Sequence, residues 1–110
     1  MSHDVLIRHQ RRWEKVGVGH RQPKAGGFNL EFPAGVPVNA GTLLLMDPGT
    51  FKPGEWLRVF VTRALQGKGT QWFEVGRAFV SKAGAALVVR LDVILPAGIP
   101  KLVLLPPRRA

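Results

Sequence analysis

The side chains best able to do chemistry in this chain are cations set among aromatic rings. Arg8, Arg11 and Arg12 lead into Trp13 and Lys15, and Arg21 and Lys24 follow. A second group holds Lys68, Trp72, Arg77 and Lys82, with Phe79 beside it. On a β-surface this mixture supplies phosphate contacts and ring faces on which unpaired bases stack. These eleven charged and aromatic residues are therefore the candidate nucleic-acid contacts. Trp13 and Trp72 have a competing role as core or seam residues, because large aromatics dominate the energetics of small barrels.

Other chemistries find little to work with. General acid–base catalysis needs paired carboxylates or an oriented histidine, but the seven acids (Asp4, Glu14, Glu31, Asp47, Glu55, Glu74 and Asp92) are scattered along the chain. The histidines, His3, His9 and His20, fall in the first 20 residues without metal-ligand spacing and read as tail or strand-end residues. There is no cysteine, which removes disulfides, thiolate nucleophiles and Cys-based metal sites. Gly17-Val18-Gly19 and Gly67-Lys68-Gly69 are not followed by a helix that could aim its N-terminus at a phosphate, so they read as turn or close-packing glycines. The expectation is a protein without enzymatic activity, metal or cofactor.

The elements that must position the cations are organised by a duplication. Trp72 stands 59 residues after Trp13, and the same offset carries Val16 to Val75, Gly17 to Gly76, Pro37 to Pro96, Leu43 to Leu102, Leu45 to Leu104 and Pro48 to Pro107. It also carries Phe28, Leu30 and Phe32 to Leu87, Val89 and Leu91, so apolar positions stay in register where identity is lost. Within each copy the apolar period is two, as a strand with one buried face requires. Trp13–His20 and Gln71–Val80 are candidate strands. Ala25-Gly26-Gly27 and Ala83-Gly84-Ala85 are their hairpin connections, and third strands follow at Thr42–Met46 and Lys101–Leu105. A further strand, Trp56–Leu65, follows the turn signals Asp47-Pro48-Gly49 and Lys52-Pro53-Gly54.

The resulting expectation is an all-β single domain over 1–110, internally duplicated, with about seven short strands in a pseudo-twofold small barrel or sandwich. Repeat A covers about 12–48, a connecting segment and strand 49–70, and repeat B about 71–107, behind a basic N-terminal arm of residues 1–11. The segments Trp13-Glu14-Lys15-Val16-Gly17, Gly27-Phe28-Asn29-Leu30-Glu31-Phe32, Pro37 and Leu43-Leu44-Leu45 resemble a signature of small β-repeat proteins of proteobacterial mobile elements. The likeness covers nearly the whole chain in two copies and implies no particular activity. It departs at Ala85-Ala86 in place of Gly26-Gly27, and at Pro100 in place of Gly41.

Charge supplies the last clue. Sixteen Lys and Arg against seven Asp and Glu give a net charge of +9, which favours polyanionic partners. Val5-Leu6-Ile7 is too short for a signal-peptide core, and Ala85–Leu105 is broken by Arg90, Asp92, Pro96, Pro100 and Lys101, so a soluble, cytoplasmic protein without a membrane partner is expected. The expected function is a nucleic-acid-binding accessory protein that contacts phosphates with little sequence specificity. The alternative is a structural or protein–protein interaction component, such as a virion or assembly protein that self-associates, or an inhibitor of a host defence complex.

Overall fold

A computed structural model of the chain describes residues 2–9, 11–22, 26–36, 41–46, 55–65, 67, 69–81, 86–95 and 98–107. Eight strands cover most of them: β1 (Ser2–His9), β2 (Arg12–Arg21), β3 (Phe28–Glu31), β4 (Thr42–Met46), β5 (Trp56–Leu65), β6 (Gly69–Val80), β7 (Ala86–Leu91) and β8 (Lys101–Leu105). They close into an antiparallel barrel in the order β1-β2-β3-β8-β5-β6-β7-β4. Closure gives every strand two neighbours, which removes the open edges of a sheet. Among the described residues no helix is long and apolar enough to cross a membrane.

The expected small barrel is found, and two expectations change. The described residues form eight strands rather than about seven. The segment read as an N-terminal arm is β1, paired with β2 along its length and with β4 through Val5, Leu6 and Ile7. Its apolar core, Val5-Leu6-Ile7, is too short to show a period against the charges around it. Pro37, Pro48, Pro53, Pro96 and the Ala83–Ala85 turn lie outside the described residues.

With β1 in place each repeat has four strands, and β1 is the counterpart of β5. Val5 pairs with Gly17, and Val59 pairs with Gly76. The offset between β1 and β5 is therefore 54 rather than 59, because the β1–β2 hairpin is five residues shorter than the β5–β6 hairpin. A bulge sits at the same place in both hairpins, after Val5 and after Val59. The fourth strand of each repeat closes the barrel against the other repeat: β4 lies between β1 and β7, β8 between β5 and β3. Neither half could close a barrel alone.

Alternating residues fill the interior, as an eight-stranded barrel requires. Val5, Phe28, Leu30, Leu43 and Leu45 of the first repeat meet Val59, Leu87, Val89, Leu102 and Leu104 of the second, all fully buried. The two halves match volume rather than identity. Gly19 with Leu30 occupies the place that Ala78 with Val89 fills in the other half, so the carbon lost at one position is regained at its neighbour. Gly17 and Gly76 sit where strands approach closely: a Cβ at Gly17 would lie 2.5 Å from the Glu31 carbonyl oxygen, and one at Gly76 1.9 Å from that of Arg90. The Trp-x-x-Val-Gly motif is thus architectural at its glycine.

Candidate nucleic-acid interface

The outer face of β5, β6 and β7 gathers cations that sequence spacing does not bring together. Arg58 on β5 pairs with Arg77 on β6, which pairs in turn with Arg90 on β7. Their strands also present inward-facing Val59, Ala78 and Val89, so alternation sends all three arginines outward. Directly opposed residues have Cβ atoms roughly 5 Å apart, and like charges so placed destabilise a sheet. Arg58 is held by Glu74, through Nε and Nη2 at 2.8 Å each to Oε2. This bond, together with the charges of Arg58 and Arg77, holds the Glu74 carboxyl below the usual glutamate range. Among the described residues, no carboxylate lies within ion-pair distance of Arg77 or Arg90.

Aromatic rings flank the row on both sides. On one side Trp56 is the cross-strand partner of Phe79, and the Arg77 guanidinium lies 5.0 Å from the centroid of the Trp56 ring. Trp56, Arg77, Phe79, Arg90 and Asp92 line an open groove of about 370 Å³. On the other side the Arg58 guanidinium lies 4.9 Å over Phe60, which meets Trp72 edge-on at 5.7 Å. Arg58, Phe60 and Trp72 join Leu105 and Pro106 around a second groove of about 480 Å³. Guanidinium–ring stacking at these distances holds the long arginine side chains extended over the sheet.

The duplication provides an internal comparison. The positions equivalent to Arg58, Arg77 and Arg90 are Asp4, Val18 and Glu31; those equivalent to Trp56, Phe60 and Phe79 are Ser2, Leu6 and His20. The first repeat thus has acidic and aliphatic residues at the positions of the arginine row. Even the bridging ion pair is reversed: Lys15 holds Asp4 at 3.1 Å where Glu74 holds Arg58. His20 lies 3.7 Å from Glu31. Because the barrel builds equally well from either set, packing does not demand the basic one.

The eleven residues singled out in the sequence distribute as follows. Arg8, Arg11, Arg12, Trp13 and Lys15 lie along the β1–β2 hairpin, and Arg21 ends β2, exposed. Trp72 and Arg77 belong to β6 and to the basic face. Lys24, Lys68 and Lys82 lie outside the described residues. Trp13 and Trp72 are not core residues: they are 52% and 49% exposed on equivalent outward positions, where the bulge of each hairpin carries the strand past the barrel body. Arg58, Arg90, Trp56 and Phe60 are not among the eleven, and Phe79 stands in the sequence only as a neighbour of the second group. Phe60 is almost wholly buried under Arg58 and Trp72, whereas Trp56 and Phe79 are each 37% exposed.

Among the described residues no cluster of His, Asp or Glu could hold a metal ion. In comparison with known proteins, no family model, curated protein or solved structure matches this chain.

Proposed function

We propose that this protein binds nucleic acid through the outer face of β5, β6 and β7, contacting phosphates with little reading of sequence. The observation that carries the reading is the opposed row Arg58, Arg77 and Arg90, set between exposed rings where the other repeat has Asp4, Val18 and Glu31. A row of like charges costs folding stability. Its gain lies outside the fold, and a polyanion is the partner that returns it. The resemblance to β-repeat proteins of mobile elements is compatible with an accessory role on nucleic acid. A protein–protein role by strand addition has less to work with, since closure leaves the barrel body without an open edge.

Salt titration of oligonucleotide binding tests the reading. Neutralising three phosphates gives a slope of log K against log salt of roughly −2.1 to −2.7, so affinity falls roughly 20- to 40-fold between about 50 and 200 mM salt. Affinity flat with salt, or no binding at about 50 mM salt, refutes it.

A further inference from the structure

We infer that the ligand is a single strand, one per chain, laid across the arginine row with its bases on Trp56 and its neighbours and nothing equivalent bound on the opposite face. The inference rests on the nucleic-acid reading above and names its substrate class and stoichiometry.

Three observations carry it. First, the rings are exposed and already partnered with guanidinium groups: Arg77 lies over Trp56, and Phe79 stands beside it on the neighbouring strand. A base entering this groove extends a stack that exists in the free protein, whereas a duplex keeps its bases paired and leaves the rings without a partner. Second, the outer surface of a small closed barrel is convex. A duplex is also convex and would touch it along a short line, while a flexible strand can follow the curve past both grooves. Third, the charges are asymmetric about the pseudo-twofold axis. At the positions of Arg58, Arg77 and Arg90 the other repeat has Asp4, Val18 and Glu31, so the duplicated fold presents the arginine row on one face only. Duplication of the scaffold therefore does not duplicate the site.

The test uses the full chain and two fluorescein-labelled probes, an oligodeoxythymidylate of about 15 nucleotides, long enough for one small barrel, and a blunt hairpin duplex of equal phosphate number. The expected result is at least about tenfold tighter binding of the single strand at the same salt, with one strand per chain, because each stacked base adds affinity that the duplex lacks. Three arms locate the site. The variant R77V/F79H/R90E, which gives this face the residues of the other repeat, loses the single strand. The variant H20A/E31Q on the opposite face keeps it. Arg77→Lys retains the charge but not the planar stack, and lowers single-strand affinity while leaving duplex affinity unchanged. Circular dichroism confirms the fold of each variant, and Arg77→Lys carries the site test if the triple variant unfolds.

Equal affinity for both probes overturns the inference and leaves the nucleic-acid reading standing. So does binding of two strands per chain, or binding that survives in folded R77V/F79H/R90E. Failure of both probes to bind removes the nucleic-acid reading itself. Concentration-dependent dimers that vanish in R77V/F79H/R90E, without oligonucleotide binding, would assign the face to a second copy of the chain and overturn both.

Discussion

Replacing Gly76 by alanine should be the most damaging glycine substitution in the barrel body among those at the Trp-x-x-Val-Gly motif. An ideal Cβ there lies 1.9 Å from the Arg90 carbonyl oxygen, 2.9 Å from its carbon and 3.0 Å from the Leu91 Cα. All three atoms are backbone, so no rotamer change relieves the clash. An ordinary carbon–oxygen contact is roughly 3.3 Å, so β6 must withdraw from β7 by roughly 1.4 Å. That movement breaks the Gly76–Leu91 end of the ladder and the bond from the Asp92 N–H to the Val75 carbonyl, 2.7 Å long. Overpacking costs about 1–3 kcal/mol, and two weakened backbone hydrogen bonds about 1 kcal/mol each, for a total of about 3–5 kcal/mol.

Gly17 offers the contrast within the same molecule. Its Cβ would meet the Glu31 carbonyl oxygen at 2.5 Å, 0.6 Å farther than the clash at Gly76, and the Phe32 ring at 2.9 Å. Gly17→Ala should cost less, about 2 kcal/mol. Among the described residues nothing lies within 4 Å of a Cβ at Gly41, so Gly41→Ala should stay within about 0.5 kcal/mol of the parent. Urea unfolding followed by far-ultraviolet circular dichroism ranks the three. The reasoning fails if Gly76→Ala unfolds within about 1 kcal/mol of Gly41→Ala, or if Gly17→Ala is the worse of the two motif variants.

Further outcomes follow from the charges and the turn. Arg90→Glu replaces one like-charge neighbour of Arg77 by an opposite one; it should raise stability by about 0.2–1 kcal/mol in urea while weakening oligonucleotide binding, a reversal of sign that a purely structural arginine would not give. Arg11 has φ of 70° in the turn between β1 and β2, so Arg11→Gly should stabilise the fold by about 0.5–1 kcal/mol, measured by the same unfolding curves. Glu74 should titrate below ordinary glutamates in an NMR pH series, mainly through its bond to Arg58 and in smaller part through the charge of Arg77. Because its folded value is the lower one, its small stabilisation is present above the ordinary glutamate range and is lost as pH falls through the folded value. Arg58→Met should return the Glu74 titration toward the ordinary range.

The all-β class and most strands were legible because inward and outward residues alternate. Thr42–Met46, Trp56–Leu65 and Lys101–Leu105 lie where the period of two places them. The offset of 59 showed the duplication, but it hid β1, whose equivalence to β5 runs at 54 across hairpins of unequal length. Without β1 the equivalence of Asp4 and Arg58 is out of reach, and with it the contrast between the two repeats at the arginine row. Arg77 was picked out because it departs from the repeat. Arg58 and Arg90 depart from it too, but their convergence on Arg77 is a fact of strand order and register that linear spacing does not carry. For Trp13 and Trp72 the sequence leaves both a core and a surface role open, because size and aromaticity favour burial; both stand exposed, at equivalent positions of the two hairpins.

The most direct measurement is a two-dimensional NMR titration of the labelled full chain with oligodeoxythymidylate. Amide and tryptophan indole shifts should gather on β5, β6 and β7, with the Trp56 indole, Arg77, Phe79 and Arg90 moving most and the β1–β2–β3 face staying still. Shifts that gather on β1, β2 and β3, or no shifts at low salt, would contradict the assignment of this face to nucleic acid.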